Sequence, residues 1–315
     1  MNKMRCYIRW SVLYLISLLP LRFLYLISDI TAFVLHYIVR YRYSVIFVNL
    51  SRSFPSLKYN ELRAIAKEYY IYMCDIMVES IWAISANQEQ MCKVVKVVNK
   101  EVIEDYASRY NKVLTVMGHM GNWELIGAIF GESSKRIDNN FYNGTFILAY
   151  KQAEKPVSEM LFKKMRMVEF KKFEKKGEVI ESNRIVRHML KCGNEKVLYT
   201  FIADQSPIYG KDKVLIKFLN QPTFMISGPE YVARKLNLPV LFLNMSRVSR
   251  GKYEVSFIPL SDLSADSKPG EITKSYGREL EKAIENNKYN WLWSHKRWKR
   301  ELNEQERELF NKEYN

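Results

Sequence analysis

From Val94 onward the chain alternates short β-rich apolar runs with stretches of helical spacing, and this alternation restricts the fold more than any other feature. Strand-like runs fall at Val94–Val98, Val113–Met117, Thr145–Tyr150, Val197–Ile202, Val214–Phe218, Val240–Met245 and Tyr253–Ile258. Helices are predicted near Trp123–Phe130, Val157–Glu169, Ser182–Lys191, Gly228–Leu236 and Lys274–Asn286. Such a chain folds as α/β, with a mixed, largely parallel sheet flanked by helices. Functional side chains are then expected on loops at the carboxyl ends of strands. Ahead of the alternation, Asn60 can cap a long helix running toward Ala86, with Leu62, Ile65, Tyr69, Met73, Ile76 and Ile81 near one face.

The amino-terminal segment is different in kind. Residues 6–39 are mostly apolar or aromatic, but Arg9, Pro20, Arg22, Asp29 and His36 interrupt them. The run is long enough to cross a bilayer, while its proline and charges equally suit a bent or interfacial anchor. A pair of buried core helices is the ordinary alternative. No small-residue cleavage site follows, so removal as a signal peptide is not expected. The chain therefore divides into residues 1–45, an N-terminal hydrophobic membrane-anchoring helical segment, and residues 46–315, the catalytic domain. Basic residues flank both ends of the segment: Lys3, Arg5 and Arg9 before, Arg40 and Arg42 after. The expectation is a catalytic body on the cytoplasmic face of the membrane.

A formal net charge of +15 points to anionic partners: nucleic acid, an anionic membrane surface or an acidic carrier protein. Nucleic acid fits least, since no zinc spacing, nucleic-acid motif or basic recognition helix occurs. The basic residues are dispersed among aromatics, with denser patches at residues 163–176 and 296–300, each also readable as a solvated face. The four cysteines lie far apart without a C-x-x-C, which indicates neither a disulfide framework nor a structural zinc site.

The motif that carries chemistry is GHMGNWE, Gly118 to Glu124. It places His119 at the end of a strand and Glu124 in the first turn of a predicted helix, where a carboxylate is favoured. A carboxylate accepting one ring N–H fixes the tautomer and makes the other nitrogen a base for a hydroxyl proton. The sequence reading is His119 as general base with Glu124 as its orienter. Asn122 is a candidate donor in the same region and otherwise a turn residue. Competing enzyme classes lack their signatures: there is no G-x-S-x-G, no H-E-x-x-H and no G-x-G-x-x-G. Cys192 and His188 share helical spacing rather than a turn-rich loop, which favours packing over thiol chemistry.

The chain resembles the lipid A late acyltransferases, lauroyl and myristoyl transferases of the bacterial inner membrane within the glycerolipid acyltransferase superfamily. The resemblance rests on His119 and Glu124 as the His-x-x-x-x-Asp/Glu signature, and on an ordered set of further segments. These are NLSRSFP (Asn49–Pro55), a helix containing Glu79, AYKQAEKPVSEMLFKKMR ending at Arg166, ADQSP (Ala203–Pro207), FLNQPTFMISGPEYVAR (Phe218–Arg234), LPV (Leu238–Val240) and the closing WLWSHKRWK (Trp291–Lys299). Relatives commonly carry arginine where this chain has Lys151, so a bidentate contact is not expected there.

The resemblance implies transfer of a fatty acyl chain from acyl carrier protein, or acyl-coenzyme A, to a hydroxyl of a phosphorylated glycolipid, the lipid A precursor. That chemistry needs one base, no metal and no cofactor. Arg166, Lys151 or backbone N–H groups near Gly121 are candidate donors to the carbonyl oxygen as charge develops. By the same resemblance Asp204 and Gln205 help build the acceptor pocket near His119. Arg297, set among Trp291, Trp293 and Trp298, is a candidate for a lipid phosphate, against plain packing through the tryptophans. Two other functions stay open: acyl transfer to a lysophospholipid, an aminolipid or a phosphatidylinositol glycolipid, and a lipid-binding membrane protein without turnover.

Overall fold

The computed structural model describes residues 2–130, 144–150, 156–172, 177–207 and 213–314. Two apolar helices, α1 (Asn2–Ser17) and α2 (Leu21–Phe33), meet at Pro20, and α2 runs on through a π-turn over Val34–Ile38. Proline has no N–H to continue α1 and is well suited to begin α2. Leu21–Ile38 is long and apolar enough to cross a membrane, with 22% of it buried. Leu24, Ser28 and Ala32 face inward, whereas Phe23, Leu26, Ile30 and Phe33 are exposed. These are not the buried core helices of the ordinary alternative.

Helix α3 (Tyr43–Ser53) leads to α4 (Tyr59–Trp82), the long helix of the molecule. It begins one residue before Asn60: Lys58 is the cap residue and its N–H donates to Glu61 Oε2 at 2.7 Å. The predicted face holds, with Leu62, Tyr69 and Ile76 buried, but Asp75 and Glu79 are buried as well.

Next come α5 (Gln88–Cys92), β1 (Val95–Val97), α6 (Lys100–Arg109), β2 (Lys112–Met117) and a 3₁₀ segment over Trp123–Phe130. Then follow β3 (Thr145–Tyr150), α7 (Pro156–Lys172), β4 (Gly177–Glu181), α8 (Ile185–Lys191) and β5 (Val197–Ile202). The chain continues through β6 (Lys213–Phe218), β7 (Gln221–Ile226), α9 (Gly228–Leu236), β8 (Val240–Ser249) and β9 (Lys252–Ser261). It closes with α10 (Glu271–Asn286) and α11 (Glu304–Tyr314).

The main sheet has seven strands in the order β1-β9-β8-β2-β5-β3-β4. Every pairing is parallel except β8 with β9, which is the mixed, largely parallel sheet expected of the alternating pattern. Its central strands are apolar on both faces, as a covered parallel sheet requires. Leu114 and Val116 of β2 face the layer containing Tyr69, Tyr72 and Ile76 of α4 and Tyr276 and Leu280 of α10. Val113 and Met117 face the layer containing Trp82, Ile103, Leu125 and Ile126. The run at Val214–Phe218 is not in this sheet. It forms a separate hairpin with β7 around a two-residue turn at Leu219 and Asn220, both in the left-handed region.

Candidate active site

The strand register brings the site together. β2 and β5 are parallel neighbours with Met117 opposite Ile202, so two residues beyond each strand His119 meets Asp204. Asp204 is 2% exposed and holds His119 twice. Oδ1 lies 2.5 Å from ring Nδ1, and Oδ2 accepts the His119 backbone N–H at 2.8 Å. The Trp291 indole N–H also donates to Oδ2, at 2.8 Å. Burial alone would raise Asp204. The His119 ring, its hydrogen bonds and that of Trp291 outweigh burial and bring the carboxyl down to about 2. An ionised Asp204 can only accept, so Nδ1 of His119 is the donor, and in the neutral form of the ring Nε2 carries the lone pair.

The His119 side chain is 14% exposed, and Gln205 Nε2 lies 3.4 Å from its Nε2. The Trp123 ring packs edge-on against the imidazole. A partly exposed imidazole oriented at Nδ1 by a buried carboxylate can take a proton from an alcohol at Nε2.

Glu124 is not the carboxylate that holds the ring. It forms a two-point ion pair with Arg166, whose Nε and Nη2 donate at 2.9 and 2.8 Å. The Trp123 indole N–H donates to the same carboxylate at 3.2 Å. The reason is local: Gly121 turns left-handed (φ +58), and the following segment is 3₁₀ with a kink at Leu125 rather than the predicted α-helix. Glu124 and Arg166 are both partly exposed beside Trp123, so they fix a charge pair near His119 without touching its Nδ1.

The backbone of the turn is held from behind. Tyr72 of α4 donates its O–H to the Gly121 carbonyl at 2.5 Å, and the Gly121 N–H donates to Asn290 Oδ1 at 3.2 Å. Met120 bridges to Trp291. Asn122 is fully buried and donates from Nδ2 to Glu79 Oε2 at 2.8 Å, so it supports the turn rather than facing a substrate.

The carboxyl-terminal segment backs the Asp204 side. The Ser206 N–H donates to His295 Nε2 at 3.3 Å, and the Ser206 hydroxyl donates to the Arg297 carbonyl. Burial lowers the His295 imidazole to about 4, against a smaller upward pull from Asp204. Arg297 is only 3% exposed and donates from Nη2 to the Phe224 carbonyl at 2.6 Å. It is therefore an interior residue and not a surface ligand for lipid phosphate. The buried Trp291 and Trp293 draw the segment inward, and burial lowers the Arg297 guanidinium to about 10.

Of the predicted site residues, the structure brings together His119, Asp204 and Gln205, with Glu124 and Arg166 alongside. It places Asn122 and Arg297 behind the site, and Lys151 lies outside the described residues. Sequence reasoning gave Asp204 to the acceptor pocket, whereas here it orients the ring. It missed Tyr72, Asn290, Trp291 and His295 as supports. The available signal was that ADQSP and GHMGNWE both follow strands, which become neighbours once β2 and β5 pair.

Residues 2–300 match the family model described as bacterial lipid A biosynthesis acyltransferase, and the chain belongs to that family. No match is found among curated proteins.

Proposed function

We propose that this protein transfers a fatty acyl chain from a thioester of acyl carrier protein to a hydroxyl of a lipid A precursor, at the cytoplasmic face of the bacterial inner membrane. The observation that carries the reading is His119 clamped by a buried, ionised Asp204, in a chain of this family. In the reaction, Nε2 of His119 takes the acceptor hydroxyl proton as the oxygen attacks the thioester carbonyl. The imidazolium that forms is stabilised by Asp204. The carbon–sulfur bond then breaks, and the thiolate receives the proton back from His119. Arg166, fixed by Glu124, supplies positive charge beside the reacting centre, where an oxyanion or an acceptor phosphate is favoured.

The exposed apolar face of α1 and α2 supports attachment to a membrane. The net charge of +15 suits an acidic donor carrier and a phosphorylated acceptor at an anionic surface.

The test is lipid A mass spectrometry from cells that lack the protein and regain it as wild type, His119→Ala or Asp204→Asn. Each variant is expected to cut transfer by roughly 10²–10⁴-fold, leaving lipid A short of one acyl chain. An unchanged acyl pattern with His119→Ala would falsify the reading, and a loss confined to phospholipids would reassign the acceptor.

A further inference from the structure

Behind the catalytic turn lies a polar network that the chemistry above does not use. Glu79 of α4 is 1% exposed and accepts three hydrogen bonds from neutral donors. They come from Tyr25 Oη of α2 at 2.8 Å, Tyr253 Oη of β9 at 2.6 Å and Asn122 Nδ2 of the His119 turn at 2.8 Å. Asn122 Oδ1 is buried without a partner, so the bond to Glu79 is the polar tether of that side chain among the described residues. One helical turn earlier, Asp75 accepts from Ser28 of α2 at 2.6 Å and from Arg247 and Arg250 of the β8–β9 hairpin. Arg250 also pairs with Asp29 of α2 and lies over the Tyr25 ring.

Tyr25 is closely seated. Gly251 is left-handed (φ +71), and a side chain there would strike the Tyr25 hydroxyl. A single carboxylate thus joins the helix that exposes Phe23, Leu26 and Ile30 to the residue three positions after His119. An unmatched buried carboxylate or amide is costly, so a displaced Tyr25 leaves Glu79 and Asn122 to rearrange together.

We infer that Glu79 is a positioning residue that ties helix α2 to the His119 turn, so that the seating of this apolar helix sets the rate of the transfer step. The inference rests on the acyltransferase reading. It makes α2 part of the support of the site as well as a means of attachment.

The experiment uses the full chain reconstituted in phosphatidylethanolamine and phosphatidylglycerol vesicles, with a mixed pool of acyl carrier protein thioesters and a lipid A precursor. Tyr25→Phe, Asn122→Ala, the double variant, Glu79→Gln and His119→Ala are compared. Tyr25→Phe keeps the ring and its contact with Arg250 and removes one hydroxyl. It is expected to lower kcat by about 3- to 10-fold, with KM and vesicle binding unchanged. Amide exchange should rise locally at Gly118–Asn122. The double variant should fall no further than the worse single variant, because both changes break one tether. Glu79→Gln should likewise lower kcat and leave KM unchanged, which keeps the test available if another variant folds poorly.

Wild-type kcat in Tyr25→Phe and Glu79→Gln, or single effects that multiply in the double variant, would overturn the inference while His119→Ala remains inactive. Retained transfer in His119→Ala would instead overturn the acyltransferase mechanism itself.

Discussion

Asp204 is buried and His295 half-buried around one loop, and their hydrogen-bond partners give them opposite duties. Asp204 is held near 2, well below its ordinary value of 3.8, because His119 and Trp291 stabilise its charge. It stays ionised throughout the range in which an imidazole titrates. His295 is pushed down from 6.5 to about 4 and stays neutral, which lets Nε2 accept the Ser206 N–H. The sign of the stability effect follows from proton counts. Between about 6.5 and about 4 the unfolded chain binds a proton at His295 that the folded chain does not, so stability falls as pH falls through this window. The contribution of Asp204 is lost lower, between 3.8 and about 2. Thermal melts against pH should therefore show a shallower decline from neutrality to pH 4 in His295→Gln than in the wild type. Equal slopes would remove His295 from the acid response.

The turn between β2 and the 3₁₀ segment depends on one backbone conformation. Gly121 adopts φ +58, and a Cβ there would come within 2.6 Å of the Met245 carbonyl oxygen, which belongs to the adjacent strand β8 of the same sheet and cannot move aside. Gly121→Ala thus combines a strained φ with a backbone clash. It is expected to cost about 1–3 kcal/mol and to reduce transfer well beyond the loss of stability, because Tyr72 and Asn290 hold the two polar groups of the same residue. Comparing the drop in melting temperature with the drop in kcat checks this. A variant that melts lower yet turns over normally would separate the turn from the chemistry.

Taken together, the expected anchor and the catalytic body share buried interactions. Ser28 and Tyr25 donate to Asp75 and Glu79, and Leu24, Ser28 and Ala32 are buried on the same side of α2. A chain starting at residue 46 would expose that face of α4 and lose both donors. Such a fragment is expected to lose the cooperative thermal transition of the full chain in detergent. A fragment that melts as the full chain does would show that the first helices are detachable.

Several features were legible from residue order because they depend on local spacing. The alternating runs specify an α/β sheet, Pro20 divides the apolar segment, and the residues on one face of α4 follow a helical period. His119 could be chosen because its five-residue spacing to Glu124 at a strand end sits within an ordered series of segments that resembles a known family; the histidine alone is more often a packed or solvated residue. What spacing could not supply was the identity of its partner. Glu124 is five residues away in sequence, and Asp204 is 85. The choice between them depends on β2 lying beside β5 in one register and on a 3₁₀ turn replacing an α-helix. Arg297 was misplaced for a related reason: aromatic and basic residues interleave alike in a surface segment and in one whose tryptophans enter the core. Periodicity specified the α/β alternation, while the motif around His119 and its resemblance to a known family pointed to the chemistry and roughly to its place. Tertiary structure alone decided which acid holds the imidazole and which helix stands behind it, since those contacts join strands and helices that the sequence keeps far apart.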